Sequence, residues 1–236
     1  MTPPACGLSR TTTNADPRMN AHPLRIVVLI SGGGTNLQAL IDAEAAGSLD
    51  GTIVGVISNR AGVRGLERAA SAGIPSRVIS HRDHEGREAF DAALIEAIDG
   101  FSPDLVVLAG FMRILTDGFV QHYQGRLLNI HPSLLPDWPG LHTHRKVLEA
   151  GEAEHGATVH FVTEELDGGP RVIRGRAPVQ AGDDEDSLAR RVGEQERRIY
   201  PEAVRWYCQG RLRLAGGLAE LDGTPLRDPV DIDTNP

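Results

Sequence analysis

Arg25-Ile26-Val27-Val28-Leu29-Ile30-Ser31-Gly32-Gly33-Gly34-Thr35-Asn36 is the stretch that decides the fold. Its unbroken apolar run reads as a strand buried on both faces. Three glycines follow, and residues 36–46 then carry a helical pattern closed by Gly47. A strand that runs through a glycine-rich turn into a helix is the first half of a βαβ unit. Glycine lets the backbone turn sharply and approach a bound group closely. The helix N-terminus adds unpaired N–H groups and a favourable dipole, so a phosphate is the natural guest. A tight turn without a ligand is the competing reading of the same residues.

The kind of phosphate can be narrowed. The dinucleotide fingerprint needs a third glycine where this chain has Leu37, and the second strand ends in Ser58-Asn59-Arg60 rather than in an acid. Arg60 keeps an NADP reading open. The Gly-Lys-Ser/Thr of nucleotide-triphosphate loops is absent. A monophosphate fits best.

Outward from this stretch, strands at 52–58, 77–79, 104–109 and 126–130 alternate with helices at 63–72, 87–98 and 116–122. Short connections between such units predict an α/β fold: a doubly wound, mostly parallel sheet with helices on both faces. After Pro139 the pattern changes. A helix at 144–150 precedes strands at 158–163 and 172–177, which flank Asp167-Gly168-Gly169-Pro170. A long polar helix spans 187–208, with a kink or break expected at Pro201. A hairpin at 211–214 and 218–221 ends the pattern. Residues 1–22 read as a disordered extension, with Met19 a candidate start. Residues 23–226 form one domain, with a phosphate-binding half at 23–125 and a catalytic half at 126–226. Residues 227–236 read as a frayed tail.

Composition sets the class. The 236 residues are 40% hydrophobic and 24% charged, ordinary for a globular chain with a substantial core. A net charge of −8 argues against nucleic acid as a partner. Two cysteines, Cys6 and Cys208, suggest a reducing, cytoplasmic setting. No apolar run is long enough to span a bilayer. The nine histidines lack zinc-ligand spacing, so no metal is expected. His142, His144, His155 and His160 are assigned turn and surface roles, with a place lining the site left open for His144, which follows the Pro136–Gly140 loop.

The chemistry points to Leu127-Leu128-Asn129-Ile130-His131-Pro132. Side chains alternate along a strand, so Asn129 and His131 leave on one face, with stems ~6.6 Å apart. A carbonyl under attack needs such a pair: a donor for the developing oxyanion and a group that moves protons near neutral pH. A strand-end Asn in a turn beside a half-exposed His is the plainer alternative. Asp167, on an Asp-Gly-Gly turn, reads by itself as structural.

Several motifs carry a resemblance. Val27-Val28-Leu29-Ile30-Ser31-Gly32, Leu108-Ala109-Gly110-Phe111-Met112-Arg113-Ile114-Leu115, Leu128-Asn129-Ile130-His131-Pro132-Ser133-Leu134-Leu135-Pro136 and Asp167-Gly168-Gly169-Pro170 occur in this order. Over roughly residues 24–226 the chain resembles the phosphoribosylglycinamide formyltransferase family. The resemblance implies transfer of a formyl group from 10-formyltetrahydrofolate, as co-substrate, to the amine of glycinamide ribonucleotide in purine biosynthesis. It makes Asn129 the residue that polarises the formyl oxygen, His131 the general acid/base and Asp167 its carboxylate partner. Gly34, Thr35 and Asn36 become the substrate-phosphate site, and Glu196 the holder of the ribose hydroxyls. Met112, Arg113, Ile114 and Leu115 become the folate wall beside Asn129, with Arg87 a further folate contact. A homodimer occurs in that family. Formyltetrahydrofolate deformylase, which passes the same group to water, is the alternative, though it usually carries an extra N-terminal domain.

Overall fold

Alternate side chains of the first strand enter different layers. In β1 (Leu24–Ile30), Ile26, Val28 and Ile30 join one apolar cluster while Val27 and Leu29 join another, and all five are fully buried. This is the side-chain period of two acting on a strand covered on both sides. The computed structural model describes residues 22–232. The expected extension at 1–22 therefore falls almost wholly outside the described residues.

After β1 come α1 (Thr35–Ala45), β2 (Gly51–Ser58), α2 (Arg64–Ser71) and β3 (Ser76–Val78). A single helical turn at His81–Asp83 leads to α3 (Arg87–Asp99), β4 (Leu105–Leu108), α4 (Asp117–His122) and β5 (Leu127–His131). Then follow α5 (Thr143–Ala150), β6 (Glu154–Phe161), β7 (Arg171–Pro178) and α6 (Glu185–Cys208). The short strands β8 (Leu212–Ala215), β9 (Leu218–Leu221), β10 (Thr224–Pro225) and β11 (Val230–Ile232) complete the order. The main sheet runs β11-β7-β6-β5-β4-β1-β2-β3, and only β6 is antiparallel to its neighbours. Residues of α1, α2, α5 and α6 fill one cluster, and those of α3 and α4 fill the other. The fold is the doubly wound, mostly parallel α/β sheet that the strand–helix alternation predicts.

Three differences from the sequence reading have a physical reason in the packing. First, β6 starts four residues earlier than expected, because Gly156 is a strand residue: any Cβ there would overlap the Gly175 carbonyl oxygen of β7. Second, α6 runs through Pro201 without a break, and it begins two residues early on a reciprocal cap between Asp184 and Ser187. Tyr200, Ala203 and Val204, flanking the proline, are fully buried, and that packing holds the helix where one backbone donor is lost.

Third, within the tail expected to fray from residue 227, Val230–Ile232 form β11, paired parallel to β7, while residues 233–236 lie outside the described residues. Val230 and Ile232 pack on the core while Asp231, between them, faces outward. The Asp231 carboxylate accepts from Arg174 at 2.6 and 2.7 Å and from Arg176 at 3.0 Å. Alternation plus two arginines thus anchors a short polar-looking segment.

Candidate active site

The strand order reverses at β1, which lies between β2 and β4. Loops leaving the C-terminal ends of β1 and β4 diverge there and open a crevice, the usual ligand position in such sheets. A cavity of about 360 Å³ occupies it. Its lining includes the glycine loop with Thr35 and Asn36, together with Arg60, Gly110, Met112 and Glu196. Gly34 is the helix N-cap at φ 68°, and a Cβ there would stand 2.7 Å from the Gly65 Cα, so only glycine fits. Asn36 donates to Glu196 at 2.9 Å across 160 residues, joining the expected phosphate and ribose groups. Burial lifts the Glu196 carboxyl above its ordinary value, and the Asn36 bond offsets part of that rise.

The second cluster grows from the pairing of β5 with β6. Asn129 lies directly opposite His160, and His131 opposite Thr158. Cross-strand partners share a face, so the Asn129 amide meets the His160 ring, Nδ2 to Nε2, at 3.0 Å. His160 Nδ1–H donates to the Phe161 carbonyl at 2.9 Å, which leaves Nε2 as the acceptor. The orientation of the Asn129 amide is thereby set: its nitrogen faces His160 with one proton and keeps a second to donate. Burial pushes His160 down to about 4, so its ring is neutral at pH 7 and remains an acceptor.

His131 is buried between two oxygens. Nε2 lies 3.1 Å from the Trp138 carbonyl, and Nδ1 lies 3.5 Å from Asp167 Oδ2. A neutral ring can donate to one of them, whereas the doubly protonated ring can donate to both. Asp167 sits at φ 52°, a left-handed conformation that Asp tolerates. That bend turns its carboxylate inward, where Oδ2 accepts from the Gly140 N–H at 2.9 Å and Oδ1 stands 3.9 Å from His160. Asn129, His131 and Asp167, which the sequence spreads over 39 positions, thus share one cluster, with His160 as its unexpected fourth member.

The Met112–Leu115 loop leaves the end of β4 beside both groups. Met112 N–H donates to Ser31 Oγ at 2.8 Å, tying this loop to the glycine loop. Met112 and Ile114 are 66% and 60% exposed, unusual for apolar side chains next to a cleft. Arg87, at the start of α3, donates to the Leu115 carbonyl at 3.4 Å, and Arg113 lies between Met112 and Ile114. Arg87 and the Met112–Leu115 loop are therefore neighbours.

The histidine assignment needs correction. His155 and His160 are buried strand residues, and His144 Nδ1 lies 3.0 Å from His155 Nε2. Alternation along β6 could have shown His160 on the face opposite Val159 and Phe161. Its partner depended on a strand register that the sequence does not display. Among the described residues no group of side chains is arranged to hold a metal ion. No helix among them is long and apolar enough to cross a membrane.

A cavity at the sheet's switch point, lined in part by Ile130 and Pro132 on either side of His131, together with an amide–imidazole–carboxylate cluster at the end of β5, is the architecture of a group-transfer enzyme. Residues 24–204 match the family described as formyl transferase, and the chain belongs to that family. It is 55% identical over 203 residues to the phosphoribosylglycinamide formyltransferase of Escherichia coli K12, covering 86% of this chain and 96% of that one. The solved phosphoribosylglycinamide formyltransferase of Coxiella burnetii superposes with a TM-score of 0.86 at 48% identity, over 90% of this chain and all of that one. A solved formyltetrahydrofolate deformylase from Pseudomonas syringae is more distant, at 26% identity, TM-score 0.80 and 66% of its chain covered.

Proposed function

We propose that the chain transfers the formyl group of 10-formyltetrahydrofolate to the amine of glycinamide ribonucleotide. The observation that carries this reading is the convergence of Asn129, His131 and Asp167 on one cluster, with Ile130 and Pro132 on either side of His131 lining the cavity at Gly34–Asn36. In this reading the backbone N–H groups of Gly34, Thr35 and Asn36 hold the substrate phosphate. Glu196 accepts from the ribose hydroxyls, a role supported by its bond from Asn36 at the glycine loop. The exposed faces of Met112 and Ile114 suit the flat pterin, with Arg113 and Leu115 completing the wall and Arg87 reaching the folate acid.

The amine nitrogen attacks the formyl carbon, and the carbonyl oxygen gains negative charge. The free Nδ2–H of Asn129 donates to it. A positioned donor of this kind is worth ~3–4 kcal/mol. His131 takes a proton from the amine and returns one to the folate nitrogen as the carbon–nitrogen bond breaks. Asp167 holds the imidazole in register and balances its charge. The formyl group arrives activated, so neither a metal nor a nucleotide is needed. A transfer assay with both substrates tests the reading. Formyl should appear on glycinamide ribonucleotide, and folate deformylation unaffected by adding that acceptor would overturn it in favour of a hydrolase.

A further inference from the structure

The glycine loop does not hold its shape alone. Helix α2 grips it from behind at two consecutive peptides. The Gly65 N–H donates to the Gly32 carbonyl at 3.0 Å. The Arg68 guanidinium donates through Nε to the Gly33 carbonyl at 2.9 Å. Its Nη1 is held in turn by Gln38 Oε1 at 2.8 Å, so one arginine links α2, the loop and the first turns of α1.

A trans peptide is planar, and its N–H points opposite to its C=O. Fixing the Gly32 oxygen toward α2 therefore turns the Gly33 N–H away from α2. Fixing the Gly33 oxygen turns the Gly34 N–H the same way. Among the described residues neither N–H has an acceptor, and both glycines line the cavity. Cβ atoms built on Gly32 and Gly33 meet nothing within 4 Å, so the loop has open space into which either peptide could flip. Gly65 is required on the other side, where a Cβ would meet Ile30 Cδ1 at 2.5 Å and Gly32 O at 3.0 Å.

We propose that Arg68, buttressed by Gln38 and assisted by the Gly65 N–H, is a positioning residue that presents the Gly33 and Gly34 amides to the substrate phosphate. It acts through the backbone: the side chain holds the outer carbonyls, and the inner N–H groups meet the anion. Without it the Gly33–Gly34 peptide can rotate and offer a carbonyl oxygen, which repels a phosphate. This proposal rests on the phosphate reading of the cradle.

The experiment compares Arg68→Met, Arg68→Lys and Gln38→Met with the unaltered enzyme, using glycinamide ribonucleotide and the same acceptor lacking its phosphate. With the phosphorylated acceptor, Arg68→Met should raise KM roughly 10–100-fold, the worth of one charge-assisted hydrogen bond. The folate KM should hold. With the dephosphorylated acceptor the same variant should lose less than about threefold in kcat/KM, a smaller effect than any single hydrogen bond of this kind. Arg68→Lys, which keeps a donor for the Gly33 carbonyl but not the link to Gln38, should fall between. Equal losses with both acceptors, or no loss with either, would overturn the proposal. If Arg68→Met does not fold, Gln38→Met decides the matter, since a KM rise confined to the phosphorylated acceptor supports it and a uniform change overturns it. If the unaltered enzyme itself ignores the phosphate, the reading of the cradle fails first, and separately.

Discussion

At the scale of single residues, the site is a set of groups each held by another. Asn129 is oriented by His160, which is oriented by the Phe161 carbonyl. Replacing His160 by Leu removes the acceptor that fixes the amide and leaves Asn129 free to flip. Turnover should drop about tenfold or more with both KM values nearly unchanged, a smaller loss than the ~10²–10³-fold expected for Asn129→Ala. Steady-state kinetics on both variants checks the order, and a His160→Leu enzyme with unaltered kcat would remove His160 from the mechanism. His131→Ala and Asp167→Asn should each cut kcat by roughly 10²-fold or more while circular dichroism stays native. Asp167 shows where sequence reading reaches its limit. The residue type and its turn were legible, but its inward aim comes from a φ of 52° and from the Gly140 N–H, neither of which has a local signature.

At the scale of elements, the Asp167–Pro170 turn is docked rather than free. Gly169 lies so close to β6 that a Cβ would overlap the Phe161 carbonyl oxygen, the same oxygen that orients His160. Gly169→Ala should therefore weaken both stability and turnover. We expect a loss of about 1–3 kcal/mol in denaturant unfolding, together with a kcat defect like that of His160→Leu. A stability loss with intact kcat would show that the turn and the histidine are not coupled. The terminal strand β11 makes the opposite case. Asp231→Ala should lower stability by no more than about 1 kcal/mol, because the pair is partly solvated, and should leave kinetics untouched. The main elements were readable from apolar runs and glycine stops. β11 was not, since two apolar residues around an Asp carry no pattern until Arg174 and Arg176 are beside them.

At the scale of the whole molecule, buried histidines give the fold an acid limit. Burial pushes both His155 and His160 down to about 4, with His144 adding to the shift at His155. In the unfolded chain the same rings take up protons near pH 6.5. Between pH ~6.5 and ~4 the unfolded state therefore binds more protons, and stability must fall as the pH falls. Below about 4 the folded rings also charge and that decline levels off. Asp231, held down to about 2 by its two arginines, contributes above pH ~4 and is lost only as the pH drops toward 2. Denaturant unfolding at pH 8, 6.5 and 5 tests this, and equal midpoints at all three would contradict it. The two-layer core and parallel sheet were legible at this scale, because they follow from periodicity. The histidine positions were not, because they follow from register between distant strands.

The strand order also sets a length. The glycine loop follows β1 and the Asn129–His131 cluster ends β5, with only β4 between them. Two strand spacings of ~4.8 Å put the two stations about 10 Å apart. Hydrogen-bonded strands cannot slide, so under the proposed function the sheet works as a fixed gauge between phosphate anchor and reacting atom. An acceptor whose amine lies much nearer to or farther from its phosphate can dock at one station but cannot reach the other. Such compounds should bind as competitive inhibitors with their phosphate affinity intact while receiving no formyl group. Selection among phosphorylated amines is then a matter of reach rather than of chemical kind.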